Sequence, residues 1–504
     1  MMNGLTPDLA LALTLLLPGV GAVLIGAADR YTVLRDAISL MAASALCMTV
    51  LWLLLNHIAG GSAQIQLTPL VQGLPIFLLA EPIGLVFATV ASVLWGVITV
   101  YSIGYMRKNN EPHQTRFYIC FAIAMACTMG VAFAGNLITL FLFYELLTLS
   151  TYPLVVHYET DAARRSGRIY LGTLLGTSIL FLLPAIIWTW SLTGTLDFVK
   201  GGTLTGKIEG PQAAILFALY LFGTGKAALM PFHRWLPAAM VAPTPVSAFL
   251  HAVAVVKAGV FTLLKIGIYI FGIGFLSAMN VSEWMMWVSA FSLTAATFVA
   301  LRKDDLKLRL AYSTIAQLAY VTLGVTLASV MGMVGGVMQL VAHALGKITL
   351  FMCAGSIYLA SGKTKISDMH GLGRVMPFTF GAFLLGSLSI IGIPPTGGAW
   401  SKWFLMMGAA DSGHLVMIGV WILASLLSIA YLIPLVARGF FLPLTGHEER
   451  PQPQGQEIPL AGKPGLQEAP IWCVAPACFT AALSVLIYFA GPAIADFVLP
   501  ALGP

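Results

Sequence analysis

Between residues 9 and 493 the chain is a succession of apolar runs, most of them long enough to cross the ~30 Å hydrocarbon layer of a bilayer as a helix. Inside lipid every backbone N–H and C=O must find its partner within the protein, so runs of this length fold as helices. Fourteen such segments are expected: near 9–27, 36–56 and 76–106; near 117–134, 136–157, 169–192, 211–231 and 244–270; near 282–301, 308–328, 331–360, 376–408 and 412–440; and near 470–493. Charged residues make up 9% of the chain and hydrophobic residues 59%, whereas a soluble protein carries roughly a quarter charged residues. The fold class is therefore all-α and polytopic, with about 14 transmembrane helices. No basic segment precedes the first apolar run, which reads as a span rather than as a leader peptide.

The formal charge of +6 invites a nucleic-acid reading, but the basic residues have a different distribution. Arg30 and Arg35 fall in the first loop, Arg107, Lys108 and Arg116 in the third, and Arg164, Arg165 and Arg168 in the fifth. The alternation continues with Arg234, then Arg302, Lys303, Lys307 and Arg309, then Lys363, Lys365 and Arg374, then Arg438, Arg450 and Lys463. Even-numbered loops hold only Lys200 and Lys207. Basic loops face the cytoplasm, so both termini are expected on the periplasmic or exterior side of a bacterial-type cell membrane. The charge is a topology signal, and no nucleic acid is implied.

Several chemistries leave no trace. Cys47, Cys120, Cys127, Cys353, Cys473 and Cys478 are scattered through apolar runs without CxxC or Cys/His ligand spacing, so zinc, iron–sulfur and haem-c sites are not expected. There is no GxGxxG after a strand and no GxxxxGK[ST] loop for a nucleotide. We expect neither a cofactor nor a metal on this chain.

Against this apolar background, residues 221–260 stand out. Lys226 lies inside a span, Pro231, Pro237, Pro243 and Pro245 interrupt the stretch after it, and His251 and Lys257 lie in the next run. A lysine at membrane depth costs about 3 kcal/mol on insertion scales, and prolines free carbonyls that must be satisfied in protein or water. A second interrupted segment, 390–405, has Gly392, Pro394, Pro395, Gly397 and Gly398 ahead of Lys402. Two Gly/Pro-broken segments in matching positions of two groups of five helices are the mark of an inverted repeat, since five is odd and the second copy is reversed in the membrane.

The run Lys226…Pro231-Phe232-His233-x-Trp235-Leu236-Pro237-x-Ala239-Met240…Pro243-Thr244-Pro245-Val246-Ser247-Ala248…His251 resembles the signature of the antiporter-like subunits shared by complex I (NADH:quinone oxidoreductase), membrane-bound hydrogenases and Mrp-type cation/proton antiporters. The segment Asp304-Asp305-Leu306-Lys307…Ala311-Tyr312-Ser313-Thr314-Ile315-Ala316-Gln317 is similar to that family as well. The resemblance covers about residues 75–440. It implies an N-terminal three-helix segment (1–115), a first five-helix repeat (116–271), a second (272–441), and a polar linker with a last helix (442–504). No long lateral helix is expected beyond that helix. Other membrane subunits are the implied partners, and protons, with Na⁺ or K⁺ in the antiporter case, the implied cargo.

Seven residues are candidates for a proton path: Glu145, Lys226, His251, Lys257, His343, Lys347 and Lys402. Glu145 is the one carboxylate near the middle of an expected span; Glu81, the nearest rival, begins the third span at its outer edge. A lone ionised carboxylate in hydrocarbon is untenable, so Glu145 is protonated or paired, and Lys226 is the natural partner, as the resemblance also implies. Such a pair either opens and closes with proton release or permanently locks two helices. Gln339, His343 and Lys347, at i, i+4 and i+8, share one helix face. That face is either a water-filled relay, with histidine able to titrate near neutral pH, or a hydrogen-bonded seam. In the family the Gln339 position is often histidine, and glutamine does not titrate.

His251 and Lys257 are six apart and face different neighbours, Lys257 being expected to bridge towards Lys347. Lys402 matches a position that is lysine or glutamate in the family; it is either the terminal proton group of the second half or snorkels from a half-helix end. Lys265, near the outer end of its helix, is expected to snorkel to the interface. Ser313, Thr314 and Gln317 either solvate a channel or bond to backbone. His233 and Arg234 form either an intake funnel or a topological and capping pair, while His157, His370, His414 and His447 receive no role.

The expected function is proton translocation by one subunit of a membrane complex, either Mrp-type cation/proton antiport or complex-I-like and hydrogenase-like redox-driven pumping. The alternatives are the proton-conducting subunit of an inorganic-carbon uptake system, and a non-conducting scaffold.

Overall fold

The computed structural model describes residues 6–71, 74–444 and 465–503. Its elements in chain order are helices α1 (Pro7–Ala27) and α2 (Thr32–Ile58), strands β1 (Gln64–Val71) and β2 (Leu74–Leu79), then α3 (Pro82–Lys108), α4 (Gln114–Ala132), α5 (Leu137–Val155), α6 (Asp161–Thr177), α7 (Leu183–Thr193), α8 (Gly210–Gly223), α9 (Trp235–Ala238), α10 (Thr244–Ala252) and α11 (Val255–Lys265). The second half continues with α12 (Ile273–Ala278), α13 (Glu283–Arg302), α14 (Leu306–Thr326), α15 (Val330–Ser361), α16 (Leu372–Val375), α17 (Pro377–Ile391), α18 (Gly397–Asp411), α19 (Leu415–Phe441), α20 (Ile471–Phe489) and α21 (Gly491–Leu502). Each of the fourteen expected segments is occupied by helix. Among the described residues, eleven helices are long and apolar enough to cross a membrane.

Position in the bundle follows from who covers whom. The central stretches of Thr244–Phe271 and Val330–Ser361 are wholly enclosed by protein, whereas α1, α2 and α19 leave most of their surface outward. Apolar side chains facing outward are what a lipid-exposed ring requires, and polar groups can survive only on the enclosed helices. All seven candidates lie on, or pack towards, that enclosed centre.

Several boundaries differ from expectation. The third span begins at Pro82 rather than near 76, because residues 64–79 form an antiparallel hairpin with Gln64 opposite Leu79. Gln64, Gln66 and Thr68 alternate with Ile65 and Leu67, a strand period, and Pro75 has no N–H to give a helix. The hairpin is tied to the neighbouring helix ends by Phe77 N–H donating to Thr139 Oγ1 (2.9 Å) and Leu79 N–H to Phe133 O (2.7 Å). The sixth span starts early, at Asp161, because Thr160 caps it by accepting from Ala163 N–H at 3.2 Å. It then runs through a π-turn at Ser178–Leu182 into α7. The last segment is two helices, α20 and α21, instead of one.

The expected polar linker begins where α19 ends; its residues 445–464, with His447, Arg450 and Lys463, lie outside the described residues.

Candidate functional site

The break beside Lys226 precedes the prolines. Helix α8 stops at Gly223, a tight turn covers Gly225–Ala227, and Ala228 takes a left-handed backbone (φ 52°). The turn is possible because α11 passes against it at Gly259, where an added Cβ would sit 2.4 Å from Ala227 N and 2.9 Å from Lys226 Cβ. The enclosed turn leaves the Lys226 ammonium facing α5. It donates to Tyr144 O at 2.7 Å and Thr148 Oγ1 at 2.6 Å, and lies 3.2 Å from the centroid of the Tyr144 ring. Burial is complete, at 0% exposure.

The expected Glu145–Lys226 contact is not made. Both Glu145 carboxylate oxygens are enclosed and have no hydrogen-bond partner, although the two charges are close enough to interact electrostatically. The physical reason is competition: Tyr144 and Thr148, one residue before Glu145 and three after it, already satisfy the ammonium with a carbonyl, a hydroxyl and a ring face. Thr148 Oγ1 and its neighbour one turn on, Thr151, extend a polar row, with Thr151 Oγ1 and Tyr170 Oη 2.7 Å apart.

The eighth segment, expected as one helix, is interrupted at Val253 and Ala254, between His251 and Lys257. An interruption at membrane depth is tolerable here because the whole segment is enclosed by protein. His251 Nδ1 lies 3.2 Å from Thr314 Oγ1, which itself donates to Leu310 O (2.9 Å). Lys347 Nζ donates to that same carbonyl at 3.1 Å. Lys257 reaches His343 rather than Lys347, its Nζ lying 2.5 Å from His343 Nδ1. An ammonium has only donors, so with Lys257 charged Nδ1 must be the acceptor and the proton of a neutral ring sits on Nε2. His343 Nε2 is buried and without a partner, as is His251 Nε2.

Gln339, His343 and Lys347 therefore share one face of α15 but bond to three different neighbours. Gln339 Nε2 donates to Gln317 Oε1 and Ser401 Oγ donates to Gln339 Oε1, both at 2.6 Å. This row ends beside Lys402. There α17 stops at Gly392, whose left-handed backbone (φ 88°) and missing Cβ admit the Lys402 side chain, since a Cβ would meet its Cδ at 2.6 Å. Lys402 Nζ contacts Ile391 O, donates to Ser425 Oγ at 2.7 Å, and lies 5.0 Å from the centre of the Tyr320 ring. It is 7% exposed and turned inward, so it does not snorkel.

Lys265 is the clearest correction. Instead of snorkelling it is 0% exposed and ion-paired with Glu81 at 2.5 Å, with its ammonium also donating to Ala134 O at 2.5 Å. Glu81 ends the hairpin and precedes α3, a position that a reading of spans alone treats as an outer edge.

The basic-loop end holds a cluster that the sequence did not flag. Glu111, 5% exposed, accepts from Tyr158 Oη and Asn109 Nδ2, both at 2.7 Å, and its other oxygen is 3.9 Å from His157 Nε2. Burial, and then the charge of Arg116, push the His157 imidazole down to about 4, so at neutral pH that contact is not an ion pair. Among the described residues no group of three or more His, Cys, Asp or Glu side chains is arranged to hold a metal.

Known proteins resemble this chain in sequence and in fold. The NADH-quinone oxidoreductase subunit N of Desulforudis audaxviator is 32% identical over 71% of this chain and 72% of its own length. A probable K(+)/H(+) antiporter subunit of Rhizobium meliloti is 32% identical over 68% of this chain but only 34% of its own length. The fold matches a chain of the Mrp complex from a Dietzia species with a TM-score of 0.84, at 20% identity, over 98% of this chain and 97% of that one. A family model described as the transmembrane part of NADH:quinone oxidoreductase/Mrp antiporters matches residues 134–428, which include all seven candidates. With enclosed, broken helices carrying buried lysines and a match over more than half its length, this chain belongs to the NADH:quinone oxidoreductase/Mrp antiporter transmembrane family.

Proposed function

We propose that the chain translocates protons through the membrane as one subunit of a larger complex of the Mrp or complex I kind. The observation that carries this reading is that Lys226, Lys257 and Lys347 are at most 1% exposed and none is ion-paired with a carboxylate among the described residues. A permanent, unpaired ammonium in such surroundings is strongly destabilising, so these side chains exchange protons with their neighbours. Glu145 sets the state of Lys226. The groups that hold the ammonium flank Glu145 on α5, so a rotamer change brings the carboxylate into contact and withdraws it again.

From Lys226 the charge is felt at the central group of His251, Lys257, His343 and Lys347, and from there at Lys402, where the second half ends. The two halves are inverted five-helix repeats, 116–271 and 272–441, after a three-helix segment (1–115) and before the terminal region (442–504). The orientation follows the basic loops, with both termini on the periplasmic or exterior side of a bacterial-type cell membrane. Redox cofactors, where the parent complex has them, belong to other subunits.

The test is proton movement by the assembled complex in inside-out vesicles, followed with a pH-sensitive dye. Lys226→Ala and Glu145→Ala are each expected to abolish it while the subunit remains in the complex. Undiminished movement in both variants would overturn this mechanism.

A further inference from the structure

Three features near the basic-loop end belong to one another, although none lies among the seven candidates. The first is an open groove of 690 Å³ between the α1–α2 and α3–α4 connections, lined by Glu111 along with His113, Gln114 and Arg116. The second is a neighbouring, partly open cavity of 160 Å³, lined by Tyr105, Tyr158, Thr244, Lys307 and Tyr358 among others, with room for several waters. Glu111 and Tyr158 join the two, since Tyr158 Oη donates to Glu111 Oε1 at 2.7 Å. Lys307, on the cavity wall, interacts electrostatically with Glu111.

The third feature is a row on α10 leading inward from the cavity. Thr244, Ser247 and His251 stand at i, i+3 and i+7, on one face of that helix, which packs against α15. Ser247 Oγ and His251 Nε2 are both fully buried and both lack a hydrogen-bond partner. Buried polar atoms in native proteins are satisfied, and two orphans in sequence above a polar cavity are most simply satisfied by water.

We infer that Glu111 and Tyr158 form a proton portal that feeds His251 through this cavity and past Ser247. The inference rests on the proton-translocating reading given above. Glu111 takes a proton from water in the groove; the Tyr158 hydroxyl, which donates to the carboxylate beforehand, then turns towards a cavity water, and Glu111 gives its proton to the Tyr158 oxygen as Tyr158 passes its own to that water. The excess proton moves along the waters to His251 Nε2, and each group is left with as many protons as it began with once Glu111 is ionised again. Tyrosine suits the step because its hydroxyl both donates and accepts. The central histidines and lysines thus have an intake of their own, beneath α10 and α15, in addition to whatever reaches Lys226 from α5.

The experiment compares Glu111→Gln, Glu111→Asp, Tyr158→Phe and, as a reference, Lys226→Ala in the assembled complex, with rates in H₂O and D₂O. Glu111→Gln and Tyr158→Phe are each expected to slow proton movement about tenfold, below the full range of positioned proton-transfer groups because waters remain in the cavity. Glu111→Asp, which keeps the carboxylate, retains most of the rate. The H₂O/D₂O rate ratio rises above wild type in the two slowed variants, because proton intake has become limiting. Wild-type rates in Glu111→Gln and Tyr158→Phe with Lys226→Ala inactive would overturn the portal and leave the proposed function standing; wild-type rates in Lys226→Ala as well would overturn both. Slowing with an unchanged isotope ratio would also overturn the portal, since it marks a packing defect. Should Glu111→Gln fail to assemble, Tyr158→Phe decides alone, because it removes one hydroxyl from a ring that is 38% exposed.

Discussion

Two glutamate–lysine couples are buried in the first half of the molecule and behave in opposite ways. Glu81 and Lys265 are in contact at 2.5 Å, sealed between the hairpin end and α11. Glu145 and Lys226 are held apart, the lysine by Tyr144 and Thr148 and the glutamate by nothing. The difference lies in the competing acceptors. Around Lys265 the ammonium finds one carbonyl besides the carboxylate, and the rings of Phe198, Phe261 and Tyr269 fill the rest. Around Lys226 a carbonyl, a hydroxyl and a ring face stand where the carboxylate would be. On the proposed function, the couple in contact is a clamp and the separated one is a switch.

The sharpest way to break this comparison is to remove both lysines separately. Lys226→Met is expected to reduce proton movement by a factor of about a hundred or more, the range of a lost proton-transfer group, with the subunit still assembled. Lys265→Met acts first on stability. It strands Glu81 in a sealed site, which costs about 3–5 kcal/mol and is measured as a lowered thermal unfolding midpoint in detergent. Replacing both partners sharpens the contrast. Glu81→Leu with Lys265→Met recovers most of that stability, because an apolar pair of similar volume suits the site, whereas Glu145→Leu with Lys226→Met recovers no transport.

Smaller effects probe how the switch is mounted. Gly259→Ala pushes a methyl into the backbone of the Lys226 turn, and overpacking of this kind costs about 1–3 kcal/mol. Transport is expected to fall several-fold in that variant, read with the same dye assay, while the Glu81–Lys265 clamp is untouched. The mildest change is Gln339→His, which adds a titratable group beside Ser401 and is expected to alter the transport rate by about twofold or less, since the α15 backbone does not move.

Much of this was legible in the residues. The run lengths, the alternation of basic loops and the two Gly/Pro-broken segments set out the bundle, and intramembrane lysines marked the centre without any coordinates. What escaped was whatever depends on a third element. The contact of Lys257 with His343 instead of Lys347 depends on how the α10–α11 interruption turns one helix face relative to the other, and no proline marks that interruption. Lys265 was misread because its distance to the interface was judged along its own helix, while the deciding partner came from the end of a hairpin that a search for spans does not see. Glu111 and Tyr158 lie in loops whose charges look like ordinary topology signals until burial separates them from their neighbours.

The row of Gln317, Gln339 and Ser401 has a consequence of its own. A proton hopping along hydroxyls and waters reverses every bond it crosses, and rotors reset the line afterwards; a carboxamide has its donor and acceptor on different atoms and resets only by turning over bodily. On the proposed function, such a row would pass a proton less readily than a line of hydroxyls and waters.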